Sequence, residues 1–451
     1  MTRDELKLRY GEERLPRYTS YPTAPQFSTE IDCETYGHWL QRVPSGRSAS
    51  LYLHVPFCRS MCWYCGCHTT ITRRDAPIID YVAALRREID LVAQQLSRPI
   101  RVRHVHFGGG TPTIMQPGEL ESLMEILRLR FSFDRDAEVA VEIDPRTLTP
   151  QMTKALGRAG FTRASLGVQS FDPLVQKAIN RVQSAAETAR GTEELRAAGI
   201  RGVNFDLIYG LPYQTVQSCR DTARICLAMR PDRFSVFGYA HVPSFKKHQR
   251  KIGEHALPNA SDRLAQADAI AEALVEAGYR RIGLDHFALP GDVMARAQEQ
   301  GSLRRNFQGY TTDPSDVLLG FGASAIGRFD AGYVQNEVQL GRYAERVASG
   351  SLPTAKGCRL TSDDLVRAEI IERIMCDFSV DLERVCRKHG ASPDAVIAAS
   401  PKLRTLEADN LIRLDGRRLT VPEEMRALVR TVASGFDAYL PGTTSIHSRA
   451  V

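Results

Sequence analysis

Four cysteines, Cys58, Cys62, Cys65 and Cys67, fall within one loop's length between Tyr52 and Thr69, directly after an apolar run that reads as a strand. Thiolates this dense suit a soft metal or an iron–sulfur cluster. The first three are spaced C-x3-C-x2-C. Structural zinc sites usually pair C-x2-C with a second C-x2-C or with two histidines. Three thiolates on a four-iron cluster leave one iron open, and an open metal position is where substrate chemistry happens. Phe57, Trp63 and Tyr64 would shield such a cluster from water and oxygen.

Other chemistry-bearing residues stand at the ends of apolar runs. Gly108-Gly109-Gly110-Thr111-Pro112 lets backbone approach a ligand closely, although such a turn alone is often only a tight turn. No Gly-Lys-Ser/Thr follows, which excludes a phosphate-binding Walker loop. Glu142-Ile143-Asp144-Pro145 closes the next run; Asp144 would also serve as a helix cap. Gln169 precedes Ser170-Phe171-Asp172, Arg181 lies shortly beyond, and Asp206 sits inside an apolar run, where burial demands a partner. Singly each reads as structural. At successive strand ends they form a ligand cradle.

The elements that must position them follow a regular pattern. Strands are expected over 50–55, 102–107, 138–143, 163–168, 203–208 and 234–239, separated by helices such as 78–95, 117–131, 185–198 and 261–277. Six strand–helix units in a row predict an α/β domain with a parallel sheet, either open or closed into a partial barrel. In both, the carboxyl ends of the strands carry the site. Residues 1–48 read as a polar arm with a short helix near 33–43, since Pro22 and Pro25 oppose helix before it. Beyond 350 the pattern turns helical (362–378, 382–388, 392–399), then a hairpin of 411–414 and 418–421 around Asp415-Gly416-Arg417, then a helix over 423–439. The last part resembles a winged helix.

The C-x3-C-x2-C after a first strand resembles the radical S-adenosylmethionine (SAM) enzymes. With its added C-x-C, and with Arg17-Tyr18-Thr19-Ser20-Tyr21-Pro22 in the arm, the chain is similar to the oxygen-independent coproporphyrinogen III oxidases. That resemblance implies a six-stranded partial (β/α) barrel over 49–350, an arm over 1–48 lying across the site, and a helical, winged-helix-like lid over 351–451. It assigns Cys58, Cys62 and Cys65 to a [4Fe–4S] cluster. It places two SAM molecules in the cradle: one against Tyr52, Gly109, Glu142 and Ile326, the other against Tyr64, Gly110, Thr111, Gln169, Arg181, Asp206 and Ala240. Cys67 and Tyr52 become candidate catalytic residues, although the residues themselves give Cys67 no derivable role. A cluster electron would cleave SAM, and the 5′-deoxyadenosyl radical would take a hydrogen from a propionate β-carbon. Carbon dioxide then leaves, and a vinyl group remains. Two propionates of coproporphyrinogen III are processed, yielding protoporphyrinogen IX in haem biosynthesis. The electron would come from a donor such as flavodoxin or ferredoxin. Arg305 (with Arg304), Gln308 and Tyr310 are expected toward the substrate's carboxylates and pyrroles.

Rival readings are a haem-binding chaperone, a haem-modifying radical SAM relative and a zinc module contacting DNA. The chaperone's typical motif lacks Cys67 and the arm sequence; both are present here. Composition bounds the rest. The 451 residues are 43% hydrophobic and 25% charged, ordinary for a globular chain with a sizeable core. Net charge +6 suits a polyanionic substrate as well as an ordinary surface, and no basic run suggests a nucleic-acid arm. Ten cysteines in a chain this long do not make a disulfide scaffold. Without a signal core or a stretch of about 18 apolar residues, a cytoplasmic monomer is expected.

Overall fold

The computed structural model describes residues 3–440, so the outermost ends of the expected segments 1–48 and 351–451 lie outside the described residues. The six expected strands form as β1 (Ser48–Val55), β2 (Arg101–Gly109), β3 (Ser132–Ile143), β4 (Arg163–Gln169), β5 (Gly202–Tyr209) and β6 (Arg233–Gly238). They stand side by side in chain order, each parallel to the next. β1 is buried at nearly every position, as a parallel strand covered on both faces must be. One core joins strand residues such as Leu53, Phe107 and Phe205 to Leu85, Leu123 and Leu195 of the intervening helices.

The sheet is larger and more mixed than the sequence pattern predicts. Beyond β7 (Arg280–Ile282) and β8 (His286–Ala288) come β9 (Val317–Phe321), β10 (Ile326–Phe329), β11 (Gly332–Asn336) and β12 (Thr354–Arg359). β9 pairs with the free side of β1 in parallel, and β10 to β12 continue antiparallel. At the opposite edge β8 pairs with β6, and β7 with β8, antiparallel. The result is a 12-stranded sheet whose parallel middle holds the six expected strands. β12 lies past the expected boundary at 350, yet belongs to this sheet. The arm reaches it too, since Ser28 exchanges both backbone hydrogen bonds with Gly357 at 2.7 and 2.9 Å.

A second core gathers the C-terminal helices Ser362–Asp377, Leu382–Lys388, Pro393–Ala398 and Lys402–Ala408. Ser392 caps its helix as expected, its hydroxyl accepting the Ala395 N–H. The hairpin forms as β14 (Arg413–Asp415) and β15 (Arg418–Thr420), and β13 (Ser379–Asp381) joins it as a third strand. Gly416, at φ +59, supplies the left-handed turn. The expected helix 423–439 does not run through. A 3-10 turn (Glu423–Leu428), a short α-helix (Val429–Ala433) and another 3-10 turn (Ser434–Phe436) replace it. Two grips account for the break: the Ser434 hydroxyl donates back to the Thr431 carbonyl at 2.7 Å, and Arg430 Nε is drawn to the Pro16 carbonyl at 3.1 Å. An unexpected helix, Arg3–Gly11, buries Leu6 and Tyr10 in this second core. Tyr18 and Tyr21 bury there too, so the arm is fastened to the C-terminal part.

Candidate active site

The cysteine loop leaves β1 through Pro56 and is fixed by its backbone. Phe57 and Cys58 pair with Thr70 and Ile71; Trp63 N–H donates to the Ile179 carbonyl at 2.9 Å, and Asn180 Nδ2 to the Met61 carbonyl at 2.8 Å. Asn180 itself takes φ +54, a left-handed position that asparagine tolerates. From the far side the segment after β6 closes on the loop. Lys246 Nζ donates to Cys67 O at 3.0 Å, His248 Nε2 to Cys65 O at 2.8 Å, and Gln249 Nε2 to Tyr64 O at 3.0 Å. The loop is thus held open by contacts to its carbonyls, and the sulfurs are left to other partners. Cys58 Sγ meets the Thr111 hydroxyl at 3.3 Å. Cys62 Sγ accepts from Arg181 Nη1 at 3.4 Å and Arg146 Nη2 at 3.5 Å. The Cys67 thiol donates to Cys65 and holds its pKa down to about 6. Cys67 is the exposed member of the four.

The glycine tract serves the chain's own packing. A Cβ on Gly110 would stand 2.5 Å from the Phe57 carbonyl oxygen, and one on Gly109, at φ +113, 2.6 Å from the His54 ring. Gly110 N–H donates to Val55 O and Thr111 N–H to Phe57 O, which docks the end of β2 against the start of the cysteine loop. Glu142, ending β3, accepts the Gly109 N–H at 3.0 Å and His106 Nε2 at 3.1 Å. The surrounding protein opposes its charge, but these two donors win and keep its pKa below the usual carboxylate value. His54 Nε2–H donates to His68 O at 3.1 Å, which leaves Nδ1 bare to accept the Tyr52 hydroxyl at 3.0 Å. Tyr52, Gly109 and Glu142 are therefore brought together. Ile326 joins them: its backbone crowds Gly320, the register partner of Tyr52 on β9. The turn before Ile326 is set by buried Glu88, which accepts from Gly322 N–H (2.6 Å), Asn336 Nδ2 (2.5 Å) and the Tyr343 hydroxyl (2.6 Å). Burial pushes the Glu88 pKa up to about 7.

The second group is looser. Arg181 reaches Asp144 (3.3 Å) and Gly167 O (2.6 Å). Tyr64 and Ala240 meet through Gln249, whose Nε2 also donates to Ala240 O at 3.2 Å. Gln169 is buried at φ +67, a strained position for a residue with a Cβ. Asp206 has the partners its burial demands, Ser165 Oγ at 2.7 Å and Asn204 Nδ2 at 2.8 Å. Because none of these is a cation, burial leaves its pKa raised.

Comparison with known proteins settles the family. Residues 52–226 match the radical SAM superfamily and residues 360–428 the HemN C-terminal domain. The oxygen-independent coproporphyrinogen III oxidase of Bradyrhizobium diazoefficiens is 61% identical over 449 residues, covering 100% of both chains. The chain belongs to the oxygen-independent coproporphyrinogen III oxidases. The oxidase of Pseudomonas aeruginosa is 43% identical over 430 residues, 94% of each chain. The solved structure of coproporphyrinogen III oxidase (HemN) from Escherichia coli superposes with a TM-score of 0.90 at 37% identity, over 95% of this chain and 100% of that one. As a family member this oxidase is an oxidoreductase of haem biosynthesis, and radical SAM membership implies a [4Fe–4S] cluster and SAM.

The donor set fits that cofactor. Among the described residues no three His, Cys, Asp or Glu side chains converge as a single metal ion requires. A cubane asks instead for one thiolate per iron corner, with the corners apart, and the loop presents three free thiols on a backbone already fixed. Among the described residues no helix is long and apolar enough to cross a membrane.

A cavity of about 860 Å³ opens between the arm (Arg14, Arg17), the ends of β5 and β6 and the C-terminal segment (Arg426, Arg430), one bridging residue (Gln249) from the loop at Ala240. Arg305 and Gln308 line it. Tyr310, expected to face the substrate, does not. Its hydroxyl donates to Met375 O at 2.7 Å and accepts the Leu284 N–H at 2.9 Å, so it turns inward. Its ring forms a shelf under the Arg305 guanidinium at 4.4 Å. Arg304 likewise pairs with Glu372 rather than with the cavity.

Lys246, His248, Gln249, Glu88 and Arg146 were beyond sequence reasoning. Gln249, buried in a basic stretch, is the clearest loss of support to test, because it also accepts the Val242 N–H at 2.6 Å. Gln249→Ala is expected to cost about 1–3 kcal/mol and to lower iron uptake on reconstitution. Thermal melting and iron per chain measure both; two unchanged values would remove its role as a clamp.

Proposed function

We propose that the arginine-lined cavity receives the carboxylates of coproporphyrinogen III while the propionate to be cut faces the cysteine loop. The observation carrying this reading is the cavity's position. Its wall includes Ala240, whose carbonyl accepts the Gln249 amide, and that same amide donates to the loop at Tyr64 O. A volume near 860 Å³ is within the range of sites for large organic ligands.

Cys58, Cys62 and Cys65 would hold the cluster, which together with SAM would supply the radical chemistry needed to remove a propionate β-hydrogen. The chain's own work is positioning. Tyr52, Gly109, Glu142 and Ile326 orient one SAM; Tyr64, Gly110, Thr111, Gln169, Arg181, Asp206 and Ala240 form the place for a second. Half-buried Arg305 and Gln308, on the cavity wall, orient the substrate. Cys67, exposed beside Cys65, is the remaining thiol at the reacting face. We read the sheet as a (β/α)6 partial barrel. Its catalytic unit extends to residue 359, because β12 belongs to it; the arm and the winged-helix-like C-terminal part form a strap and lid that exclude water. The protein works as a monomer and takes its electron from a flavodoxin- or ferredoxin-like donor.

Anaerobic turnover tests the reading. Reconstituted protein with SAM, reductant and coproporphyrinogen III should yield 5′-deoxyadenosine and a porphyrin product that has lost two carboxyl groups, seen by mass spectrometry. Deoxyadenosine without decarboxylation would assign the site another substrate.

A further inference from the structure

We propose that Arg146 raises the reduction potential of the bound cluster, acting as a positioning residue through a guanidinium hydrogen bond to Cys62. The inference rests on the three-cysteine assignment above. Arg146 follows the end of β3 and is locked by Asp144: Nε lies 3.0 Å from Oδ1, Nη2 2.6 Å from Oδ2, and its backbone N–H donates to the same carboxylate at 3.1 Å. Thus held, Nη2 aims at Cys62 Sγ at 3.5 Å. Arg181 approaches the same sulfur from Gly167 and shares the same carboxylate.

The charges near this sulfur are two guanidiniums and one carboxylate, a net single positive charge. It is poorly screened, because the side chains of Arg146, Asp144 and Arg181 are 17%, 11% and 7% exposed. Cys58 meets the neutral Thr111 hydroxyl and Cys65 the neutral Cys67 thiol, with Lys246 and His248 acting on Cys65 through the carbonyl side of the loop and no guanidinium bonded to either sulfur among the described residues. Donors and positive charge at a ligand sulfur favour the reduced cluster. Of the two arginines, Arg181 also supports the fold through Gly167. Among the described residues the side-chain hydrogen bonds of Arg146 go only to Asp144 and Cys62, which makes it the cleaner probe.

Redox titration of the reconstituted full-length protein, followed by the EPR signal of the reduced cluster without SAM or substrate, is the test. Arg146→Gln is expected to move the midpoint to more negative potential. Asp144→Asn, which removes the compensating negative charge, is expected to move it the opposite way. Opposite signs cannot come from a general loosening of the loop. Wild-type midpoints in both variants, or shifts of the same sign, would overturn the proposal. If Arg146→Gln fails to hold iron, the Asp144→Asn midpoint decides alone: no positive shift overturns it. Iron and sulfide content of the wild-type protein reports separately on the cysteine assignment.

Discussion

Cys62→Ala is expected to leave the reconstituted protein without a stable cluster and without measurable decarboxylation, whereas Cys67→Ala keeps its iron and loses only turnover. The contrast follows from where the four thiols stand. Cys58 and Cys62 are turned toward partners just beyond β2, beyond β3 and beyond the helix Pro173–Ala178, and the Cys65 carbonyl is held by His248, so separate segments position the three thiols. Cys67 sits at the outer end, exposed, its carbonyl tied to Lys246. Losing a thiolate from a three-thiolate set leaves an iron without its anchor, and cluster binding fails with it. Losing Cys67 removes a neighbour of a ligand, and outer partners of that kind typically change activity about 10–100-fold. Iron and sulfide analysis, the charge-transfer absorbance and product formation read the three quantities together. Full iron content in Cys62→Ala, or none in Cys67→Ala, would break the three-ligand assignment.

Arg305→Gln should raise the substrate KM by about 10- to 100-fold with a smaller change in kcat, the equivalent of roughly 1.5–3 kcal/mol for a charged hydrogen bond. Arg305 is prepared for a carboxylate to an unusual degree. Its Nε and Nη1 are buried with no hydrogen-bond partner, while Nη2 is anchored on the Arg17 carbonyl at 3.2 Å and the plane rests on Tyr310. Much of its desolvation is therefore borne before the ligand arrives, and two N–H donors on different edges of the guanidinium are left for it among the described residues. Arg430 stands near enough to feel the charge: burial first, then Arg17 and Arg305, lower its pKa to about 9. An arriving carboxylate relieves that repulsion. An unchanged KM, with SAM cleavage also unchanged, would move the propionates elsewhere.

The parts of this molecule that depend on neighbours in sequence were readable from it. The thiol spacing is local to one loop. The six parallel strands are buried on both faces, so they appear as apolar runs whose ends fall within a few residues of those observed, except that β3 begins at Ser132 rather than 138. Ser392 and Gly416 declare a helix start and a turn by their own chemistry. What stayed hidden depends on distant partners. Gln249 lies in Lys246-Lys247-His248-Gln249-Arg250-Lys251, where nothing marks one amide as buried. Arg146 looks like a surface arginine until Cys62 is brought to it from 84 residues away. Tyr310 reads as a ligand-facing aromatic because its sequence does not show Met375 and Leu284 taking its hydroxyl. The 423–439 periodicity was real but yielded to Arg430 and Ser434, whose tertiary and local bonds outbid regular helix.

The arm on the cavity's wall is fastened to residues far along the chain. Tyr18 bonds Asp437, 419 positions on, and the Tyr21 hydroxyl accepts the Ala438 N–H, 417 positions on. Synthesis is vectorial, and domains fold as they emerge. The sheet and cysteine loop can therefore assemble on the ribosome while Tyr18 and Tyr21 of the arm still lack these partners. During that interval the arm beside the cavity is not yet fastened, and its bonds to Asp437 and Ala438 form only after those residues leave the exit tunnel. Translation itself thus orders the assembly, with the sheet and cysteine loop formed first and the arm fastened late.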